Sequence, residues 1–334
     1  MLNTKIAGKF LVKKKIGSGK HSEIYLTKTL TEEEFALKVE KNNCPRPQLL
    51  RESKVLKLLQ GGAGIPSIQW VGTEENLTLM VLELLGPSLK DLFQVCNQRL
   101  CLKTILMLAE QFLIRIEFLH SKSYVHRDIK PENFLVGLGK RSSLVYLIDF
   151  GMARKYRDSK THQHIMFKEG KKPAGNIKFV SVYTHNGFEQ SRRDDLIAIG
   201  YVLLHLLRGN LPWQGISSRD KNRLTAEKKL SIHLDELCAQ HPVEFKNYLE
   251  YCISLKFEDI PDYMYLRRMF KGLYISSGFE DDFLYDWSLM NYTSEKKVKN
   301  CEDEEVKKAE TEGRKTKIEE LQVEKKKKKT CLVF

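Results

Sequence analysis

One stretch constrains this chain more than any other: Tyr124-Val125-His126-Arg127-Asp128-Ile129-Lys130-Pro131-Glu132-Asn133, followed sixteen residues on by Asp149-Phe150-Gly151. It is an H-R-D-x-x-x-x-N loop with a D-F-G behind it. Whatever the chain folds into must bring Asp128, Asn133 and Asp149 together. A carboxylate beside an attacking hydroxyl, with an amide and a second carboxylate on metal ions, is what phosphoryl transfer requires. Two ordinary turns flanking strands would not need both motifs, in this order and at this separation.

The 334 residues suffice for one large domain or two lobes with ample core. Hydrophobic content of 42% and charged content of 30% fit a soluble globular chain. No apolar run reaches membrane-spanning length. The N-terminal residues carry no apolar stretch of signal-peptide type and no glycine at position 2, so neither a signal peptide nor myristoylation is expected. Seven cysteines with irregular spacing and no C-x-x-C pair read as reduced intracellular thiols. His162 and His164 read as loop residues and not metal ligands. The net charge of +13 calls for an anionic partner, yet no stretch interleaves basic and stacking aromatic residues as nucleic-acid modules do. Acidic or phosphate-bearing polypeptide is the expected partner, with no nucleic acid.

Residues 1–85 read mainly as strands: Lys9–Ile16, Glu23–Thr29, Glu34–Glu40, Ile68–Gly72 and Thr78–Glu83. Apolar spacing predicts one helix, over Gln48–Gln60, stopped by Gly61-Gly62-Ala63-Gly64. From residue 86 to about 290 helices take over, with a capped start at Ser88, long helices over Thr104–His120 and Asp195–Arg208, and helical patterns from Glu227 to Tyr274. Trp213 and Trp287 read as core anchors. Residues 291–334 lose periodicity: 23 charged side chains lie between Tyr292 and Thr330, too polar to offset the entropy of ordering, so a disordered tail is expected. The fold class is α+β, with a small β-rich lobe, a turn near Glu83–Pro87 and a larger helical lobe.

Gly17-x-Gly19-x-x-Ser22 is weak evidence alone. Because a strand follows it and not a helix, it reads as a hairpin lid over phosphates and not as a dinucleotide fingerprint. Ser22 stands where a third glycine is usual. Phe35-Ala36-Leu37-Lys38 places Lys38 on a strand where it can hold nucleotide phosphates, and Glu52 on the following helix can pair with it. Glu83 to Leu85 would meet adenine through backbone groups. Asn133 and Asp149 are the expected oxygen ligands of Mg²⁺. Asp128 is expected to orient the substrate hydroxyl and take its proton, with Lys130 offsetting charge on the moving group. Arg127 is placed to pair with an anion in the segment after Gly151.

Residues from about 5 to 290 resemble the casein kinase 1 family of protein kinases. The resemblance is carried by Leu84-Leu85-Gly86-Pro87-Ser88-Leu89 with Asp91-Leu92-Phe93, by Lys155-Tyr156-Arg157-Asp158 with Thr161-His162-Gln163-His164-Ile165, by Glu189-Gln190-Ser191-Arg192-Arg193-Asp194-Asp195-Leu196, and by Leu211-Pro212-Trp213-Gln214-Gly215. As in that family, no A-P-E follows Gly151. The resemblance implies a bilobal protein kinase fold and a monomeric Ser/Thr protein kinase using ATP and Mg²⁺ on acidic or already phosphorylated substrates. It implies that Ile16, Ile24, Ala36 and Leu135 join Gly17, Gly19, Lys38, Glu52, Glu83 and Leu85 around the nucleotide. Lys178 and Gly215 match the family's anion pocket, with Lys171 adding charge nearby. Three departures stand out: Val182-Tyr183 where Ile-Asn is usual after Ser181, Asn176 where Thr is usual, and Lys178 where Arg is usual, which loses the bidentate fork. The segment Ser217–Arg223 is shortened.

The chain ends Cys331-Leu332-Val333-Phe334 behind Lys325 to Lys329, a C-a-a-X box whose final Phe favours geranylgeranyl on Cys331. One lipid chain anchors weakly, and a basic run supplies the second signal on an anionic leaflet. The expectation is a cytoplasmic protein held at a membrane's cytoplasmic face, the plasma membrane among the candidates. Nuclear import through the lysine run is the lesser alternative. The rival function is a non-catalytic kinase-like scaffold that binds phosphorylated partners, motivated by Ser22, Asn176 and Tyr183.

Overall fold

Alternating apolar residues build the first part of the molecule. The computed structural model describes residues 1–19, 22–42, 47–218 and 220–289. Strands β1 (Lys5–Ile6), β2 (Phe10–Ser18), β3 (Ser22–Lys28), β4 (Glu34–Lys41), β5 (Ile68–Glu74) and β6 (Leu77–Glu83) form an antiparallel sheet in the order β1-β2-β3-β4-β6-β5. Residues two apart point to the same face, so Val12, Tyr25, Leu37, Val39, Leu79 and Val81 meet in one buried cluster. Helix α1 (Leu49–Leu59) buries Leu49, Val55, Leu56 and Leu59, the apolar face predicted for it. Its first amides are not left bare. The Glu40 carboxylate accepts from the Gln48 and Leu49 amides at 3.0 Å, which ties the helix start to the strand carrying Lys38.

The helices that follow are α2 (Leu89–Val95), α3 (Leu102–Ser121), α4 (Val182–His185), α5 (Arg192–Arg208), α6 (Lys221–Ser231), α7 (Leu234–Leu237), α8 (Val243–Ser254) and α9 (Tyr263–Ser276). Ser88 and Asp91 close a capping box on α2 where a capped start was predicted. Helix α5 is buried from Arg192 through Leu207 and packs on α3 and α8. It begins three residues earlier than its apolar pattern suggested, because Asp194 reaches back to accept the Ser191 amide at 2.8 Å. Residues 1–284 form one unit. In the second, Tyr285 stacks on Trp287 with ring centroids 4.6 Å apart. The expected tail, including Lys325–Lys329 and Cys331, lies outside the described residues.

Five short strands went unpredicted, β1 among them, and the other four place the motifs. β7 (Tyr124–Val125) pairs with β10 (Arg154–Lys155), and β8 (Phe134–Val136) pairs with β9 (Val145–Leu147). The H-R-D loop thus runs from β7 to β8, and the D-F-G turn from β9 to β10. The two loops lie antiparallel between the same two ladders, so Asn133, just before β8, and Asp149, just after β9, emerge at the same end.

Candidate active site

Lys38 sits at the centre of a buried ionic group. Its ammonium donates to Glu52 at 2.6 Å and to Asp149 at 3.2 Å. Burial alone would pull the ammonium toward neutrality, but the two carboxylates outweigh it and hold it charged, above its ordinary range. Burial would likewise raise Asp149, and Lys38 overrides that and lowers it. Glu52 is pushed up by burial even with Lys38 beside it.

A second group surrounds Asp128, which is 6% exposed. Lys130 donates to its carboxylate at 2.5 Å. The Asn133 side-chain amide donates to the Asp128 carbonyl at 2.8 Å and to its carboxylate at 3.3 Å. With its NH₂ spent on Asp128, Asn133 leaves its oxygen as the group that can ligate. Asn133 oxygen and the Asp149 carboxylate are hard donors, and one or two such groups plus substrate phosphates suit Mg²⁺.

The loop itself is held from below. Asp195 on α5 accepts the His126 amide at 2.7 Å, the Arg127 amide at 2.9 Å and His120 Nε2 at 2.9 Å. Burial would raise this carboxyl, but those bonds, with His120 foremost, lower it. His126 Nδ1 accepts the Asp128 amide at 3.3 Å while its Nε2 donates to the Ile148 carbonyl at 3.0 Å, joining the two motif loops. Its ring meets Phe150 edge-on at 5.3 Å. Arg127 and Asp149 both take left-handed backbone, with φ of 73° and 64°, which is uncommon for residues with a side chain. The signal for Asp195 was present as an acid opening an apolar helix, but nothing in its spacing tied it to His126.

The remaining expected nucleotide residues have distinct settings. Gly17 pairs with Ile24 across β2 and β3, and Ile16 is 44% exposed beside it. The Gly19 amide donates to the Ser22 carbonyl at 2.7 Å, and Ser22 lies within β3 opposite Glu40, so this strand position demands no glycine. Ala36 lies opposite Leu26 and Leu82 in the sheet. Leu135 bridges to Ser88. Glu83 is braced by the Ser67 amide at 2.8 Å and by Arg141 at 2.9 Å.

The basic residues expected around one anion pocket separate into two places. Lys171 lines a cavity of about 80 Å³ with Arg127, Arg154 and Lys172. Buried Glu189 draws Arg154 at 3.3 Å and Lys171 at 3.7 Å there. Arg127 donates to the neutral Gln190 side chain at 3.2 Å and makes no ion pair within 4 Å among the described residues, while Glu189 in the same cavity lining acts on its charge from further off. Lys178 is not part of that cavity lining. Its ammonium lies 2.9 Å from His205 Nε2 on α5 and 5.1 Å from the Phe179 ring centroid. Burial, with Lys90 adding to it, lowers Lys178 to about 8, and burial with Lys178 lowers His205 to about 3. Gly215 follows Trp213 at φ +78° with open space where a Cβ would sit.

The departures also find their partners. Asn176 accepts the Lys178 amide at 3.0 Å and makes no bond to Asp128 or Lys130 among the described residues. The Tyr183 hydroxyl donates to the Ile253 carbonyl at 2.8 Å, and the Arg193 guanidinium lies 3.6 Å over its ring. Tyr183 therefore ties α4 to α8. A Cβ at Gly175 would fall 2.4 Å from the Arg127 carbonyl, so only glycine lets this segment pass so close to the H-R-D loop. Comparison with known families agrees with this geometry: the model of the protein kinase domain matches residues 10–271.

Proposed function

Because this chain belongs to the protein kinase family, we propose that it moves the γ-phosphoryl group of ATP to serine and threonine hydroxyls of acidic or phosphorylated proteins, as a kinase of casein kinase 1 type. A protein kinase uses ATP and a divalent metal; the donor set here favours Mg²⁺ held by Asn133 and Asp149. Bound there, the ion would offset charge on the phosphates. Lys38, fixed by Glu52, orients the nucleotide phosphates. Asp128 holds the acceptor hydroxyl in line and takes its proton as the new oxygen–phosphorus bond forms. Lys130 balances charge beside it, and a lysine at this place is typical of kinases acting on Ser and Thr.

The observation that carries the reading is the convergence of Lys38, Glu52 and Asp149 on one side with Asp128, Lys130 and Asn133 on the other. Support for an acidic substrate comes from residues 151–180, which carry eight Lys or Arg against two acids. The full set of transfer residues weighs against the scaffold, and the packing of Tyr183 gives one of its motivating departures a structural role. We also propose that Cys331 is geranylgeranylated and that the lysine run holds the kinase, as a monomer, at an anionic cytoplasmic membrane face. Among the described residues no helix is long and apolar enough to cross a membrane.

The test is phosphate transfer from Mg-ATP to paired peptides, one with phosphoserine three residues before the acceptor serine and one without, with Asp128→Asn alongside. Transfer that favours the phosphorylated peptide and vanishes in the variant is expected. Phosphopeptide binding without turnover would hand the function to the scaffold. The mass of the C-terminal peptide from cells decides the lipid.

A further inference from the structure

Lys229 is a buried lysine that no acid answers among the described residues. It is 5% exposed, and among the described residues it forms no ion pair with Asp or Glu. Its ammonium instead donates to the Ile177 carbonyl at 2.9 Å and the Val180 carbonyl at 2.6 Å, and approaches His185 Nε2 at 3.2 Å. The rings of Tyr201 and Trp213 flank it, each centroid 5.2 Å away. Burial takes it well below its ordinary range. A lysine is costly to bury without a carboxylate, so the group that receives its donors is the informative part. Both carbonyls belong to one short segment, 177–180. Trp213 grips the same segment, donating from Nε1 to the Lys178 carbonyl at 2.8 Å. The carbonyls of Ile177, Lys178 and Val180 are thus held from α6 and from the loop before it, while the Lys178 side chain reaches His205 on α5.

We propose that Lys229 and Trp213 are positioning residues for substrate recognition, clamping residues 177–180 so that Lys178 is presented at a fixed height to an anionic residue of the bound peptide. This rests on the acidic-substrate reading above. The clamp does not touch the reacting atoms. It acts on which peptides are held and how well, because Gly175 brings the same segment against the H-R-D loop and any loosening displaces Lys178 relative to the acceptor hydroxyl.

The experiment uses the full chain carrying Lys229→Met, Trp213→Phe, Lys178→Met, and each of the first two combined with the third. Steady-state kinetics are run on the phosphorylated and unphosphorylated peptides, with amide hydrogen exchange over residues 174–182 and 124–134. The clamp predicts faster exchange in 174–182 with little change in 124–134. It also predicts KM for the phosphopeptide raised about tenfold with a smaller change in kcat, and no further rise when Lys178→Met is added. Unaltered exchange in 174–182, or kcat and KM worsening on both peptides additively with Lys178→Met, would overturn it. Should Lys229→Met fail to fold, Trp213→Phe carries both readouts, since it leaves a smaller aromatic ring in place and removes the N–H that reaches the Lys178 carbonyl. If the wild type treats the two peptides alike, the preference for phosphorylated substrates is what has failed. The clamp is then decided by the exchange rates and by KM for the acidic unphosphorylated peptide.

Discussion

The Lys178 ammonium and His205 Nε2 face each other across 2.9 Å, a pair in which only one member can hold a charge. Lys178, lowered to about 8, is the one that does at neutral pH; His205, lowered to about 3, stays neutral. The ammonium fraction at Lys178 drops from about nine-tenths at pH 7 to about one-tenth at pH 9. KM for a phosphorylated peptide should therefore climb over that interval, while KM for an unphosphorylated neutral peptide moves less. Lys178→Arg should flatten the profile, since guanidinium keeps its proton throughout. A pH series of KM on the two peptides checks this.

Asp128→Asn removes the proposed proton acceptor and leaves the loop packing in place. Its kcat should drop about 10²–10⁴-fold, the usual range for a general base. Lys38→Met should cut kcat/KM comparably while leaving Asp128 and its partners untouched. Single-turnover transfer over a range of ATP concentrations separates the two, because only Lys38→Met should recover partly as nucleotide is raised.

Acid should unfold this protein from a definite starting point. Burial lowers His120, His164 and His241, and brings His185 to about 4 and His205 to about 3. Each binds its proton near 6.5 in the unfolded chain and only at lower pH in the folded one. Their neutral forms cost nothing above pH 6.5, and the folded state loses ground as pH falls below it. Thermal midpoints should decline from pH 6.5 downward, and His205→Phe should shallow that slope. An unchanged slope in that variant would place the acid sensitivity elsewhere.

Tyr183→Asn restores the residue usual in the resembling family but removes the hydroxyl bonded to Ile253 and the ring under Arg193. A stability loss of about 1–3 kcal/mol is expected from these two contacts. Chemical denaturation measures it, and kcat at a temperature where both forms are folded should change little.

Much of the site was legible because its chemistry is carried by residues close in sequence. Asp128, Lys130 and Asn133 sit within six positions, and the strand and helix bearing Lys38 and Glu52 showed plain period-two and helical patterns. Their pairing at 2.6 Å was foreseeable. The supports were not legible. Strands of two or three residues such as β7 to β10 are too short to show a period, yet they align the two motifs. Asp195, His205 and Lys229 matter through contacts with residues 27 to 75 positions away, and a lysine in a polar helix looks like a solvated one until its carbonyl partners are seen. The division of Lys171 and Lys178 between two places is likewise a fact of packing, invisible in a count of charges.

The left-handed backbone at Asp149 has a cost: an L-residue there is disfavoured by roughly 1–2 kcal/mol against glycine. Asp149→Gly would relieve that strain but take from buried Lys38 one of its two carboxylates, so heat resistance should not improve. The tight turn and the lysine's second partner are two sides of one position: what the backbone gives up, the ion pair offsets.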